Sequence, residues 1–140
     1  MTMRFGYLLP ALLLTMILFT HSTASAQKSE MIIRISEIEI HQNFVEEYKS
    51  LLKEEAEASV RLEPGVVSIF PMYQQGDPTQ IRILEIYASR QAYESHLKTP
   101  HFQSYKTTTL KMVKSLKLID MAPIDAKTMT EIFRKIKKNP

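Results

Sequence analysis

Apolar residues recur along this chain with two different periods, and the switches between them outline its elements. Residues 31–41 read Met-Ile-Ile-Arg-Ile-Ser-Glu-Ile-Glu-Ile-His, alternating apolar and polar in the second half as a half-buried strand does. Asn43 then offers an N-cap, with Glu46 three residues on to complete a capping box. Val45, Tyr48, Leu52, Ala56 and Val60 follow at helical spacing, and Pro64-Gly65 stops that helix. Residues 66–75 form a second strand. Pro71 within it cannot donate to a sheet ladder, which sends the strand to an edge. After the turn signal Gly76-Asp77-Pro78, residues 80–88 form a third strand rich in β-branched side chains. Ser89 caps a short helix ending near Lys98, and Thr99-Pro100 restarts a helix with threonine at the cap and proline in the first turn. Phe102, Tyr105, Thr109, Met112 and Val113 give that helix its inner face, and residues 116–122 are the last strand.

The order β-α-β-β-α-β, with its second helix broken in two, predicts an α+β domain of ferredoxin-like arrangement, in which the second and fourth strands are edges. The third strand carries Ile81 and Ile83 on one side and Leu84 and Ile86 on the other. Two apolar sides on one strand imply that both faces of the sheet are covered, and a second copy of the chain is the simplest cover for the face without helices. A homodimer is therefore expected.

Ahead of the domain, Arg4 precedes an apolar run from Phe5 to Phe19 and the small-residue tripeptide Ala24-Ser25-Ala26. Basic start, short apolar middle and A-x-A end make a secretory signal peptide, so export to the periplasm or the medium is expected, with cleavage after Ala26. The run is shorter than the ~20 residues that span a bilayer. The chain then divides into a signal at 1–26, a domain at 27–123 and a tail at 124–140. With no cysteine, the domain must rest on packing even in an oxidising compartment. Lys and Arg number 18 against 15 Asp and Glu, and Arg4 leaves with the signal, so nothing points to a nucleic-acid partner.

Candidate chemistry concentrates in one short segment holding Glu85, Tyr87, Tyr93, His96, His101 and Tyr105. On the short helix, Ala92, Tyr93, His96 and Leu97 share a face, so His96 points inward. On the next helix His101 and Tyr105 share the inner face. Positions five apart diverge on an unbroken helix, so the break at Thr99-Pro100 is what lets both imidazoles look into one cavity. A lone inward histidine is more often a satisfied core residue than a catalyst, and each candidate alone has such a bland reading. Their clustering carries more weight. His96 and His101 are too close, and too separated by proline, for a helical zinc pair, so no metal is expected. With three glycines in the chain there is no phosphate loop, no serine stands in a nucleophile elbow, and no flavin or nicotinamide fold is supported.

Glu85-Ile86-Tyr87, followed by Tyr93-Glu94-Ser95-His96-Leu97-Lys98-Thr99-Pro100-His101-Phe102, resembles the antibiotic biosynthesis monooxygenase family, as does the turn Glu63-Pro64-Gly65-Val66. The resemblance covers roughly residues 31–123. It implies a dimeric α/β barrel with one cavity per subunit, and a reaction of O₂ with an electron-rich aromatic such as a quinol, without metal, flavin or other cofactor. Carried over, His96 and His101 are the base and anion-stabilising pair, Glu85 orients one of them and Tyr87 bounds the ring. Tyr93 and Tyr105 complete the substrate-binding set. Many members carry Trp where this chain has Tyr87; the absence of any Trp argues against the haem-degrading branch and leaves open the isomerase branch that handles a small hydroxy-ketone. A non-catalytic ligand-binding dimer of the cell envelope is the third reading.

In the tail, Thr128 and Glu131 suggest another capping box. Met129, Ile132, Phe133 and Ile136 form an apolar stripe among Lys127, Arg134, Lys135, Lys137 and Lys138. Such a helix docks on the domain or its twin, or else touches anionic lipid.

Overall fold

The computed structural model describes residues 30–138, so the signal-peptide reading of 1–26 lies outside the described residues. Strand β1 (Ile32–Ile40) leads through a 3-10 turn into α1 (Val45–Leu62), and β2 (Val66–Gln74) and β3 (Asp77–Tyr87) form a hairpin. Helices α2 (Arg90–His96) and α3 (Pro100–Thr109) follow, a second 3-10 turn leads into β4 (Val113–Met121), and α4 (Ala126–Lys138) ends the chain. The four strands lie in the order β2-β3-β1-β4, every neighbouring pair antiparallel. This is the ferredoxin-like α+β fold, and Pro71 lies on the edge strand β2, where its missing N–H costs no ladder bond.

The core forms where α1 crosses the sheet. Ile38 and Ile40 of β1, Ile81 and Ile83 of β3, and Val45, Tyr48, Leu52 and Ala56 of α1 are all buried there. Two details of α1 differ from its sequence pattern. It starts at Val45, with Phe44 as an N-cap that makes no side-chain bond, because Gln42–Phe44 takes up a 3-10 turn in place of the Asn43 capping box. At its far end the buried position is Ser59, fully enclosed, while Val60 is 47% exposed. A 3.6-residue helix turns its stripe gradually, and over four turns the drift brings Ser59 inward and Val60 outward.

The caps of the broken helix form as their residues suggest. The Ser89 side chain accepts from the Ala92 N–H, the Thr99 side chain accepts from the Phe102 N–H, and Pro100 occupies the first turn of α3. Met112 is fully buried, but from the 3-10 turn, and Val113 already opens β4. At α4, Asp125 replaces the Thr128–Glu131 box: its carboxylate accepts from the Lys127 N–H and the Thr128 hydroxyl, while Glu131 pairs with Arg134. No residue of α4 is fully buried: Ile132, Phe133 and Ile136 are exposed and Met129 is half-buried.

On β1 the apolar register changes side. Arg34 and Ser36 face the helices together with Ile38 and Ile40, while Ile33 and Ile35 face the other way. Cross-strand pairing places Leu84, Ile86, Ile119 and Met121 on that outer face beside Ile33 and Ile35, with Phe70 and Met72 at the β2 edge. The outer face is thus apolar, and Phe70, Met72 and Met121 are exposed on it.

Gly65 fixes how closely α2 approaches the α1–β2 turn. A Cβ at this position would meet the Ala92 Cβ at 2.4 Å, and the Gly65 carbonyl also accepts from the Ala88 N–H. Gly65→Ala is expected to cost about 1–3 kcal/mol of stability through overpacking, measured by urea denaturation. Adding Ala92→Gly should restore most of the loss.

Candidate functional site

The sequence spaces Glu55, Ser59 and Glu63 four residues apart, so α1 and its terminus present all three along one line. Opposite them stand His96, the last residue of α2, and His101, in the first turn of α3. The Thr99-Pro100 break sets the angle between these two helices. Thr99 donates to the His96 carbonyl from both its backbone N–H, at 3.0 Å, and its hydroxyl, at 2.8 Å. The two imidazoles end with ring centroids 6.5 Å apart.

Glu63 joins them. Its Oε1 lies 3.0 Å from His96 Nδ1 and 2.5 Å from His101 Nε2. A carboxylate can only accept, so each of these ring nitrogens carries a proton and donates it. Burial alone would raise the Glu63 pKa, but the bonds from His96 and His101 outweigh it and hold the group below its ordinary value. Because Nδ1 of neutral His96 carries the proton, its Nε2 carries a lone pair. That atom is 3.8 Å from Glu55 Oε1. Glu55 is buried and accepts from the Ser59 hydroxyl at 2.6 Å. Burial pushes its pKa up despite that bond.

His96 is 2% exposed, packed against Tyr87 and Phe102 with ring centroids at 5.4 and 4.6 Å. It forms part of the wall of a cavity of about 440 Å³ between sheet and helices. Tyr48, Tyr87, Tyr93, Phe102 and Tyr105 supply aromatic wall, and Leu110, Leu116 and Leu118 line it as exposed apolar residues. The volume is that of a small-molecule site. Burial, then the neighbouring Glu85 carboxylate, raises the Tyr87 pKa. Burial, then Tyr48, does the same for Tyr105, whose hydroxyl is 2.6 Å from that of Tyr48. Burial pushes Tyr48 up to about 12. None of these three phenols is a base at neutral pH, so the proton-accepting side chains on the wall are His96, Glu55 and Glu85.

The candidate residues from the sequence divide between two clusters. Glu85 lines the cavity but lies away from the imidazole–carboxylate bridge: it accepts from Ser36 and, at 2.9 Å, from the Tyr87 hydroxyl. The carboxylate orienting the histidines is Glu63, not Glu85. His101 reaches Glu63 but is not part of the cavity wall, so the expectation that both rings face one hollow is met by His96 alone. Tyr87, Tyr93 and Tyr105 all line the cavity. Three site residues escaped the sequence reading. Glu63 passed as part of a turn, Glu55 as a surface charge beside the Ala56 stripe, and Arg34 as the polar half of an alternating strand. Arg34 is buried in the cavity wall, 2.7 Å from Asp120 and 4.7 Å from the Tyr93 ring centroid. Burial would lower its pKa, but Asp120 and Tyr93 leave it raised, so it stays a cation. The signal for Glu55 was its place three residues after Leu52, on the buried face.

An antiparallel ferredoxin-like sheet with an aromatic-walled cavity under its helices, lined by a buried arginine and an imidazole, defines a domain of the α+β class. The model of the family described as antibiotic biosynthesis monooxygenase matches residues 31–108. A candidate antibiotic biosynthesis monooxygenase from Bacteroides thetaiotaomicron is 47% identical with a TM-score of 0.68, over 69% of this chain and 91% of its own. A candidate monooxygenase from Lactobacillus acidophilus is 28% identical with a TM-score of 0.64, over 68% of this chain and 46% of its own. A protein from Nitrosomonas europaea, 21% identical with a TM-score of 0.65 over 70% of this chain and 94% of its own, shares the fold. No curated protein matches. The chain belongs to the antibiotic biosynthesis monooxygenase family.

Removing the bridging carboxylate should be costly because it strands a buried donor. Glu63→Ala is expected to lose about 1–3 kcal/mol, the cost of an unsatisfied buried N–H at His96. His101→Ala, removing a partly exposed ring, is expected to lose about 1 kcal/mol or less. Chemical denaturation of both variants measures the difference.

Proposed function

We propose that this domain is a cofactor-independent monooxygenase that inserts one atom of O₂ into a hydroquinone or a similarly electron-rich aromatic. The observation that carries the reading is the His96 ring: its Nδ1 is 3.0 Å from Glu63 Oε1, and the residue forms part of the wall of an aromatic cavity. A phenolic ring fits between the Tyr87, Tyr93, Phe102 and Tyr105 side chains, where edge and face contacts favour it. His96 Nε2 takes a hydroxyl proton, and Glu63 stabilises the imidazolium that forms. Arg34 offers positive charge to the phenolate in a site of low dielectric. The anion passes an electron to O₂, the two radicals join at a ring carbon, and water leaves. Hydroquinone and O₂ thus become hydroxyquinone and water, one oxygen atom in each product. In this mechanism His101 positions Glu63, and Glu85 with Ser36 and Tyr87 shapes the far wall.

Oxygen-electrode measurements over a panel of hydroquinones test the reading. Uptake by the wild type should fall about 10²–10⁴-fold in His96→Ala, the usual worth of a general base. Proton exchange into a hydroxy-ketone without oxygen uptake would instead identify an isomerase, and ligand-dependent stabilisation without turnover a binding protein.

The setting of the enzyme is part of the same proposal. A second copy covers the apolar outer face of Ile33, Ile35, Leu84, Phe70 and Met121, making the homodimeric barrel, and the chain is exported with Gln27 as its first mature residue. Light scattering should give twice the chain mass at micromolar concentration, and mass spectrometry of material from the producing cell should begin at Gln27. A stable monomer, or a retained Met1, would refute the respective element.

A further inference from the structure

We infer that Glu63, His96 and His101 form a divalent transition-metal site that lies behind the catalytic imidazole and switches it off when filled. Glu63 Oε1, His96 Nδ1 and His101 Nε2 converge from three separate elements and lie within 4.8 Å of one another. Ligands held about 2.0–2.2 Å from a tetrahedral ion are about 3.3 Å apart, so an ion entering here spreads the two contacts of 3.0 and 2.5 Å by less than about 1 Å and draws the two ring nitrogens, which lie within 4.8 Å, to the same spacing. Two histidines five apart on one helix could not share an ion; the fold turns their two helices against each other and adds a carboxylate from the C-cap of α1.

A second observation points the same way. A metal-bound histidine commonly donates its other ring N–H to a carboxylate, and here His96 Nε2 faces Glu55 at 3.8 Å, with Glu55 in turn held by Ser59. The side chains of Glu63 and His101 are 13% and 20% exposed, so an ion reaches them from solvent, while His96 is closed in. Two imidazoles and one carboxylate suit a first-row ion such as Zn²⁺, Co²⁺ or Fe²⁺ and supply too few oxygens for Ca²⁺ or Mg²⁺.

Occupation has a chemical consequence. For the ion to bind, each ring changes tautomer: His96 gives up its Nδ1 proton and takes one at Nε2, facing Glu55, while His101 gives up its Nε2 proton and takes one at Nδ1, so that Nδ1 of His96 and Nε2 of His101 offer their lone pairs to the metal. Nε2 then has no lone pair to accept a substrate proton. Neither Glu63 nor His101 lines the cavity, so the ion acts through the ring and not on the substrate. This consequence rests on the proposed oxygenase reading; metal binding itself does not.

The test titrates the tag-free mature chain with Co²⁺ and follows visible d–d absorption and calorimetry. One equivalent per chain with bands of a four- or five-coordinate ion is expected, along with a higher Tm reversed by chelator. Both His101→Ala and the near-isosteric Glu63→Gln should lose the bands, with circular dichroism confirming that each is folded. No saturable binding at one equivalent, or bands unchanged in both variants, would overturn the site. Oxygen uptake measured against Zn²⁺ occupancy tests the switch: it should fall in proportion to filling, and full activity at saturation would overturn that role. A wild type with no uptake under any condition removes the oxygenase reading, whereas the Co²⁺ bands decide the metal site regardless.

Discussion

One carboxylate oxygen holds this site together. Glu63 Oε1 receives an N–H from each of two imidazoles that belong to different helices, at the point where α1 ends and the chain turns into β2. That single acceptor selects the tautomer of His96, fixes its ring in the cavity wall and ties α2 and α3 to α1. The bridge in turn depends on two local features. Gly65 lets α2 approach within the volume a Cβ would take, and Thr99 bonds the His96 carbonyl twice before Pro100 redirects the chain.

The same sheet carries the cavity on one face and an apolar surface on the other. β1 shows how: its last buried pair, Ile38 and Ile40, is core under α1, but Arg34 and Ser36 on the same face belong to the cavity. Over that half of the strand the isoleucines, Ile33 and Ile35, have moved to the outer face. A strand whose polar residues are buried and whose apolar residues look outward would be unstable in a monolayer. It becomes economical when the outer face is covered and the buried polar groups are paired, as Arg34 is with Asp120 and Ser36 with Glu85.

Residues that read as candidates because of their chemical type were real neighbours of the cavity: His96, Glu85, Tyr87, Tyr93 and Tyr105 all line it. Those missed were charged residues in unremarkable surroundings. Glu63 sits beside Pro64-Gly65, which announces a turn and hides a bridge. Glu55 is one of several glutamates on α1, and only the three-dimensional packing distinguishes it from the solvated Glu54 and Glu57. Glu85 misled in the opposite direction: its place in the motif suggested a partner for histidine, yet its oxygens are engaged by Ser36 and Tyr87 across and along the sheet.

Periodicity, proline and capping residues are local signals, and they determined what is local. The element order, the edge position of β2, the caps at Ser89 and Thr99 and the inward turn of His96 follow from spacing along the chain. Helix α1 marks the border of that rule, because its stripe drifted from Val60 to Ser59 within a pattern correctly read as helical. Which carboxylate meets which imidazole was decided only by tertiary structure. Glu63 is 33 residues from His96 and 38 from His101, and no period relates them. Their meeting depends on the crossing of α1 with the α2–α3 break over one sheet, a property of packing and not of any segment.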